Sequence, residues 1–138
     1  MIPEDVSKQI RAHFSHHPTG DQEAVISHLS SLHLSTKKNP VYILKGFAGT
    51  GKTSLISAYV NMLKAEKKNF VLLAPTGRAA KVLTKYTGYK AHTIHRYIYH
   101  IITSSEGFYK ISLSHNRLKN TVFIIDESSM ISDNNQSE

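Results

Sequence analysis

A chain of 138 residues suits one domain with a buried core better than two. At 40% apolar and 20% charged it reads as globular; no apolar run approaches the roughly 20 residues that cross a bilayer, and the lack of cysteine excludes disulfides and thiolate metal sites. The net charge of +7 is concentrated: between Gly77 and Lys119, eight cations stand against one anion, Glu106. Such a stretch suits a polyanion, most commonly nucleic acid, and equally a solvated face that keeps the protein soluble. The first residues have neither the basic nor the apolar region of a signal peptide, so a cytoplasmic location with no membrane contact is expected.

In chain order, residues 6–14 read as a short amphipathic helix, followed by a polar linker. Thr19 stands three residues before Gln22, the spacing of a capping box. The helix it opens carries Ala24, Val25, Leu29 and Leu32 at helical intervals. Residues 41–45 predict a strand, residues 46–53 a glycine-rich turn, and residues 53–64 a helix. A second strand covers residues 70–74 and stops at Pro75. A basic helix follows over residues 77–86, with Gly88 as its stop. Residues 92–102 predict a helix, and residues 104–120 are irregular or a hairpin. The unbroken apolar run of residues 121–126 predicts a central strand covered on both faces. Strands alternating with helices give an α/β domain with a mostly parallel sheet.

The turn Gly46-Phe47-Ala48-Gly49-Thr50-Gly51-Lys52-Thr53 fits the phosphate-loop pattern G-x-x-x-x-G-K-[ST], between a predicted strand and a predicted helix. Gly46, Gly49 and Gly51 let the backbone turn tightly with its amides inward, and the helix N-terminus adds positive potential for phosphate oxygens. Ala48, Thr50 and Ser54 complete the expected nucleotide site. Lys52 reaches the β- and γ-phosphates, and Thr53 offers its hydroxyl to Mg²⁺. The competing reading is an ordinary glycine-rich strand-to-helix turn. Downstream, Ile124-Ile125-Asp126-Glu127 is an apolar strand ending in adjacent acids, the pattern of a Walker B element. Asp126 is expected to hold Mg²⁺ and Glu127 to polarise the water that attacks the γ-phosphate of ATP. A solvated turn also looks like this when no phosphate loop precedes it.

Taken together these residues resemble the first motor domain of superfamily-one DNA helicases of the RecD-like and Pif-like type, which are P-loop ATPases. The resemblance runs over residues 19–132, with residues 1–18 as a helical lead-in and residues 133–138 as a polar tail. It implies a RecA-like, three-layer α/β/α fold, present in part. Gln22 lies where the family has its adenine-reading glutamine. Ala74-Pro75-Thr76-Gly77-Arg78-Ala79-Ala80 is similar to motif Ia, which implies contacts to single-stranded DNA from Pro75, Thr76, Gly77, Arg78 and Lys81. His92-Thr93-Ile94-His95 resembles the Thr-Ile-His stretch near the DNA strand, so His92, Thr93 and His95 join that expected surface. Asp126-Glu127-Ser128-Ser129-Met130 is close to the family's motif II. The resemblance further implies a second motor domain supplying arginines, and 5′ to 3′ movement driven by ATP hydrolysis.

The family pattern continues with a γ-phosphate-sensing motif that does not appear here, so the chain is expected to be a truncated motor with little turnover and an apolar edge that favours self-association. Two rival readings remain at this stage: a P-loop small-molecule kinase, and a short non-catalytic module that binds nucleic acid. Tyr86, Tyr89, Tyr97 and Tyr99 interleave with the cations, and either stack bases or pack in the interior. His13, His16, His17, His92 and His95 lack the carboxylate or thiolate spacing of a metal site.

Overall fold

The computed structural model describes residues 1–103 and 105–131. The expected polar tail lies outside them. The chain forms two compact units, residues 1–67 and 68–138.

The first unit is helical. Helix α1 (Pro3–Ala12) starts with proline at its first turn, where the missing N–H costs nothing. Its buried residues Val6, Ser7 and Ile10 form one stripe against helix α2 (Gly20–His33). Thr19 caps α2 as its spacing predicts: its hydroxyl accepts from the Gln22 N–H at 3.3 Å, and the Gln22 Oε1 accepts from the Thr19 N–H at 2.9 Å. The buried face of α2 is Gln22, Ile26, Leu29 and Ser30, one position round from the expected Ala24, Val25 and Leu32. The Ser7 and Ser30 hydroxyls satisfy each other there at 2.8 Å. Helix α3 (Lys52–Ala65) buries Leu55, Ala58, Tyr59, Val60, Met62 and Leu63. Desolvation, then the charge of Glu66, push the Tyr59 phenol up to about 12.

The strand predicted at residues 41–45 is not formed. Val41 is 81% exposed and Ile43 69%. The described part of this unit has no strand for the segment to pair with. β-Branched composition supplies propensity, but a strand exists only as part of a ladder.

The second unit holds a parallel sheet. In chain order its elements are β1 (Asn69–Ala74), α4 (Gly77–Thr87), β2 (Ala91–Thr93), α5 (Ile94–Ile98), β3 (Tyr99–Thr103), β4 (Tyr109–Leu113) and β5 (Thr121–Ile125). The sheet order is β2-β1-β5, with Leu72 opposite both Ala91 and Ile124. β1 is therefore the central strand, and its Leu72, Leu73 and Ala74 are buried. Among the described residues β5, expected at the centre, pairs with β1 alone; Phe123 is 39% exposed and Ile125 43%. Its apolar run marks a strand built for burial, while its position in the sheet decides how much burial it gets. The helix predicted over residues 92–102 shrinks to α5. Thr93, Ile101 and Ile102 are β-branched and find partners, Thr93 on Ala74 of β1 and the isoleucines on the antiparallel strand β4. Helix α4 begins at a Thr76 cap, whose hydroxyl accepts from the Ala79 N–H at 3.2 Å. It ends at Gly88, whose φ of 78° suits a residue without a β-carbon.

Candidate functional site

The loop ahead of α3 is built by three local devices. Gly49 and Gly51 adopt φ of 79° and 80°, which turns the chain sharply into the helix. The Thr50 hydroxyl donates to the Phe47 carbonyl at 2.8 Å and closes the turn. The Lys52 ammonium lies across the loop and donates to the carbonyls of Gly46 and Phe47, each at 2.6 Å. These are charge-assisted bonds, so the lysine is held over the turn by the loop's own backbone. A β-carbon at Gly46 would press on the Thr50 hydroxyl, so the small residue is needed where the loop folds on itself. Phe47 is 88% exposed, and Ala48 and Thr53 are also exposed. Ser54 is half-buried in the first turn of α3.

Gln22 belongs to this loop by contact as well as by sequence order. Its Nε2 donates to the Gly51 carbonyl at 3.4 Å, while its Oε1 serves the α2 cap. A β-carbon at Gly51 would collide with that amide. One side chain thus ties the start of α2 to the last glycine of the loop. The capping-box spacing signalled the first half of this arrangement; nothing in the sequence signalled the second.

The acid pair sits at the end of β5. The Asp126 N–H donates to the Leu73 carbonyl at 3.0 Å, which extends the parallel ladder one residue beyond β5. Its Oδ1 accepts from the Glu127 N–H at 2.9 Å. Its Oδ2 accepts from the Tyr86 hydroxyl at 2.6 Å. Glu127 takes φ of 53°, a left-handed conformation uncommon for a residue with a β-carbon, before a 3-10 turn over Ser128–Met130. That turn re-aims the chain immediately after the carboxylate. Partial burial, then the hydrogen bond to Asp126, then the negative charges of Asp126 and Glu127, raise the Tyr86 phenol well above its ordinary value. It is therefore a neutral donor at any physiological pH.

Tyr86 was grouped on sequence with base-stacking or packing tyrosines. Its neighbours on α4 explain the difference: Ala79, Val82 and Tyr86 share a helix face, and helical side chains lean toward the N-terminus. The same face opens a concavity of about 330 Å³ lined by Thr76, Arg78, Ala79, Val82, Asp126, Glu127 and Met130. Two of the residues expected to meet DNA therefore share a cleft with the two expected to serve the nucleotide. Thr76 spends an acceptor pair on its cap and keeps its O–H to donate. Arg78 and Lys81 are exposed on α4, Gly77 is its first residue, and Pro75 is half-buried between β1 and the cap. His92 and Thr93 lie on β2, where Thr93 caps α5 by accepting from the Arg96 N–H at 3.3 Å. His95 is exposed beside Tyr99, and Tyr97 packs against His92 and Phe123.

Taken one by one, the candidate donors have the chemistry that magnesium and phosphate require. Among the described residues no three His, Asp or Glu side chains gather to hold a metal. Magnesium is usually held by one or two protein oxygens and completes its shell from phosphate and water. Asp126 and the Thr53 hydroxyl are of the right hard-oxygen kind. A lysine ammonium and the start of a 14-residue helix are of the right kind for phosphate.

A family model described as an AAA domain matches residues 19–138. Among curated proteins, the ATP-dependent RecD2 DNA helicase of Deinococcus radiodurans is 33% identical over 94 residues, 66% of this chain and 12% of that protein. An uncharacterised protein of Methanocaldococcus jannaschii is 33% identical over 105 residues, 68% of this chain and 9% of its own length. The chain spans about a tenth of the length of these curated relatives.

Proposed function

The chain belongs to the AAA domain family and is RecD-like in sequence, and from that premise we propose that it is the ATP-binding front of a motor that moves on single-stranded DNA and unwinds duplexes. Its coarse character is that of a helicase-like P-loop ATPase. The observation that carries the finer reading is the loop of residues 46–53, with left-handed Gly51 leading into α3 and the Lys52 ammonium held over the turn.

In this reading the amides of Gly49, Thr50, Gly51 and Lys52 receive phosphate oxygens, and Lys52 exchanges the carbonyls of Gly46 and Phe47 for the terminal phosphates. Thr53 and Asp126 supply oxygens to Mg²⁺, which when bound neutralises the charge developing on the phosphoryl group. Glu127 orients and deprotonates the attacking water. Gln22 reads the adenine edge. Thr76, Arg78 and Lys81 bind the DNA backbone, joined by Pro75 and Gly77 through the start of α4 and by His92, Thr93 and His95. Phosphate contacts of this kind carry no sequence information, so any single strand serves. A second motor domain supplies the remaining cations; arginines in such positions contribute roughly 10³–10⁵ in rate.

The test is ATP hydrolysis by the protein of the full reading frame, with and without single-stranded DNA. The expected result is hydrolysis stimulated by the strand, abolished by Lys52→Ala, and weakening steeply from about 50 to 200 mM salt. Hydrolysis indifferent to DNA, or phosphoryl transfer to a small molecule, would overturn the motor reading.

A further inference from the structure

Asp126 ends a strand at the rim of a sheet, where a carboxylate ordinarily swings about two side-chain torsions. Here both oxygens are engaged by protein donors from different elements. The Glu127 N–H holds Oδ1 at 2.9 Å, and the Tyr86 hydroxyl holds Oδ2 at 2.6 Å. The second distance is that of a strong, charge-assisted O–H···O⁻ bond. Tyr86 is half-buried on α4, a helix anchored by the buried Leu83 and Thr87. Each carboxylate oxygen has two acceptor positions, so these donors use one on each and leave one on each.

We propose that Tyr86 is a positioning residue for the metal-binding carboxylate: its hydroxyl fixes the plane of Asp126 so that the remaining lone pairs are presented to a divalent cation. The inference rests on the reading of Asp126 as the magnesium acid. Outer-shell partners of ligating carboxylates commonly govern metal affinity by roughly 10–100-fold, because an unrestrained ligand must be ordered each time the metal binds. Tyr86 also links that carboxylate to α4, which Thr76 caps and whose first turn carries Arg78.

The experiment measures Mn²⁺ affinity by electron paramagnetic resonance in the presence of a non-hydrolysable ATP analogue, for the unaltered chain, Tyr86→Phe, Asp126→Asn, and the chain with p-aminophenylalanine at position 86. Nucleotide affinity in EDTA is measured in parallel. Tyr86→Phe keeps the ring and its packing, and is expected to weaken Mn²⁺ about 10-fold with metal-free nucleotide affinity unmoved. The p-amino side chain restores a donor and is expected to recover most of the loss, which a purely structural role does not predict. Unchanged or tighter Mn²⁺ binding in Tyr86→Phe, alongside a large loss in Asp126→Asn, overturns the role of Tyr86 and leaves the Walker B reading standing. Unchanged Mn²⁺ binding in Asp126→Asn overturns both.

Discussion

The phosphate loop and the acid pair are held in opposite ways. In the loop of residues 46–53 the groups hold one another: the ammonium of Lys52 and the hydroxyl of Thr50 bind carbonyls within a few residues, and the backbone is exposed. At Asp126 the backbone N–H joins the β1 ladder through Leu73, and the carboxylate, which also accepts from the next residue's N–H, is held by Tyr86 of α4, 40 residues away in the chain. A local device depends on backbone conformation, and a distributed one on the packing behind it. The two therefore differ in which substitutions damage them.

The largest effect is expected where packing carries the acid pair. Leu72 is almost fully buried in the central strand, opposite both Ala91 and Ile124. Leu72→Ala is expected to lower unfolding stability by about 2–5 kcal/mol, from lost transfer energy and the cavity left behind, read by urea denaturation. A cost below about 1 kcal/mol would mean that β1 is not the packed centre of this sheet.

The loop is expected to respond to conformation instead. Alanine at a left-handed position is strained by roughly 1–2 kcal/mol. Gly49→Ala carries that strain alone, because a β-carbon there meets nothing. Gly51→Ala carries it together with displacement of the Gln22 amide. Nucleotide affinity, measured with a fluorescent ATP analogue, is expected to fall about 10-fold in Gly49→Ala and further in Gly51→Ala. Equal losses would show that the Gln22 contact does not matter to the loop.

The same division explains what could be read in advance. The local devices were legible: the Thr19 cap, the stop at Gly88, and the glycine spacing before Lys52 each depend on a few adjacent residues. The family, with its incomplete α/β fold, was implied by a resemblance carried by the phosphate loop, residues 74–80 and residues 126–130 in their order, and the family model agrees. Features that depend on distant partners were not legible. Residues 41–45 have the composition of a strand and no ladder, and residues 121–125 have the composition of a central strand and an edge position. Residues 99–103 completed an apparent helical period with isoleucines that pair across a hairpin. Tyr86 looked like any tyrosine in a basic segment, because nothing in the order of residues says that Val82 and Tyr86 face Asp126.

Gln22 belongs to both classes, and so gives the finest test. Its carbonyl oxygen serves a local cap; its amide nitrogen serves Gly51, 29 residues on, and in the proposed reading the adenine edge as well. Gln22→Glu separates these duties. The carboxylate still accepts from the Thr19 N–H, but a charge on this buried side chain faces the Gly51 carbonyl without a donor, so a stability loss of about 1–3 kcal/mol is expected. The donor to Gly51 is lost, and so is any donor to adenine. Competition between ATP and GTP for the site, measured below the variant's melting temperature, then decides the matter: the folded variant is expected to lose its preference for ATP. If it discriminates as the unaltered chain does but binds both nucleotides more weakly, Gln22 acts on the loop and not on the base.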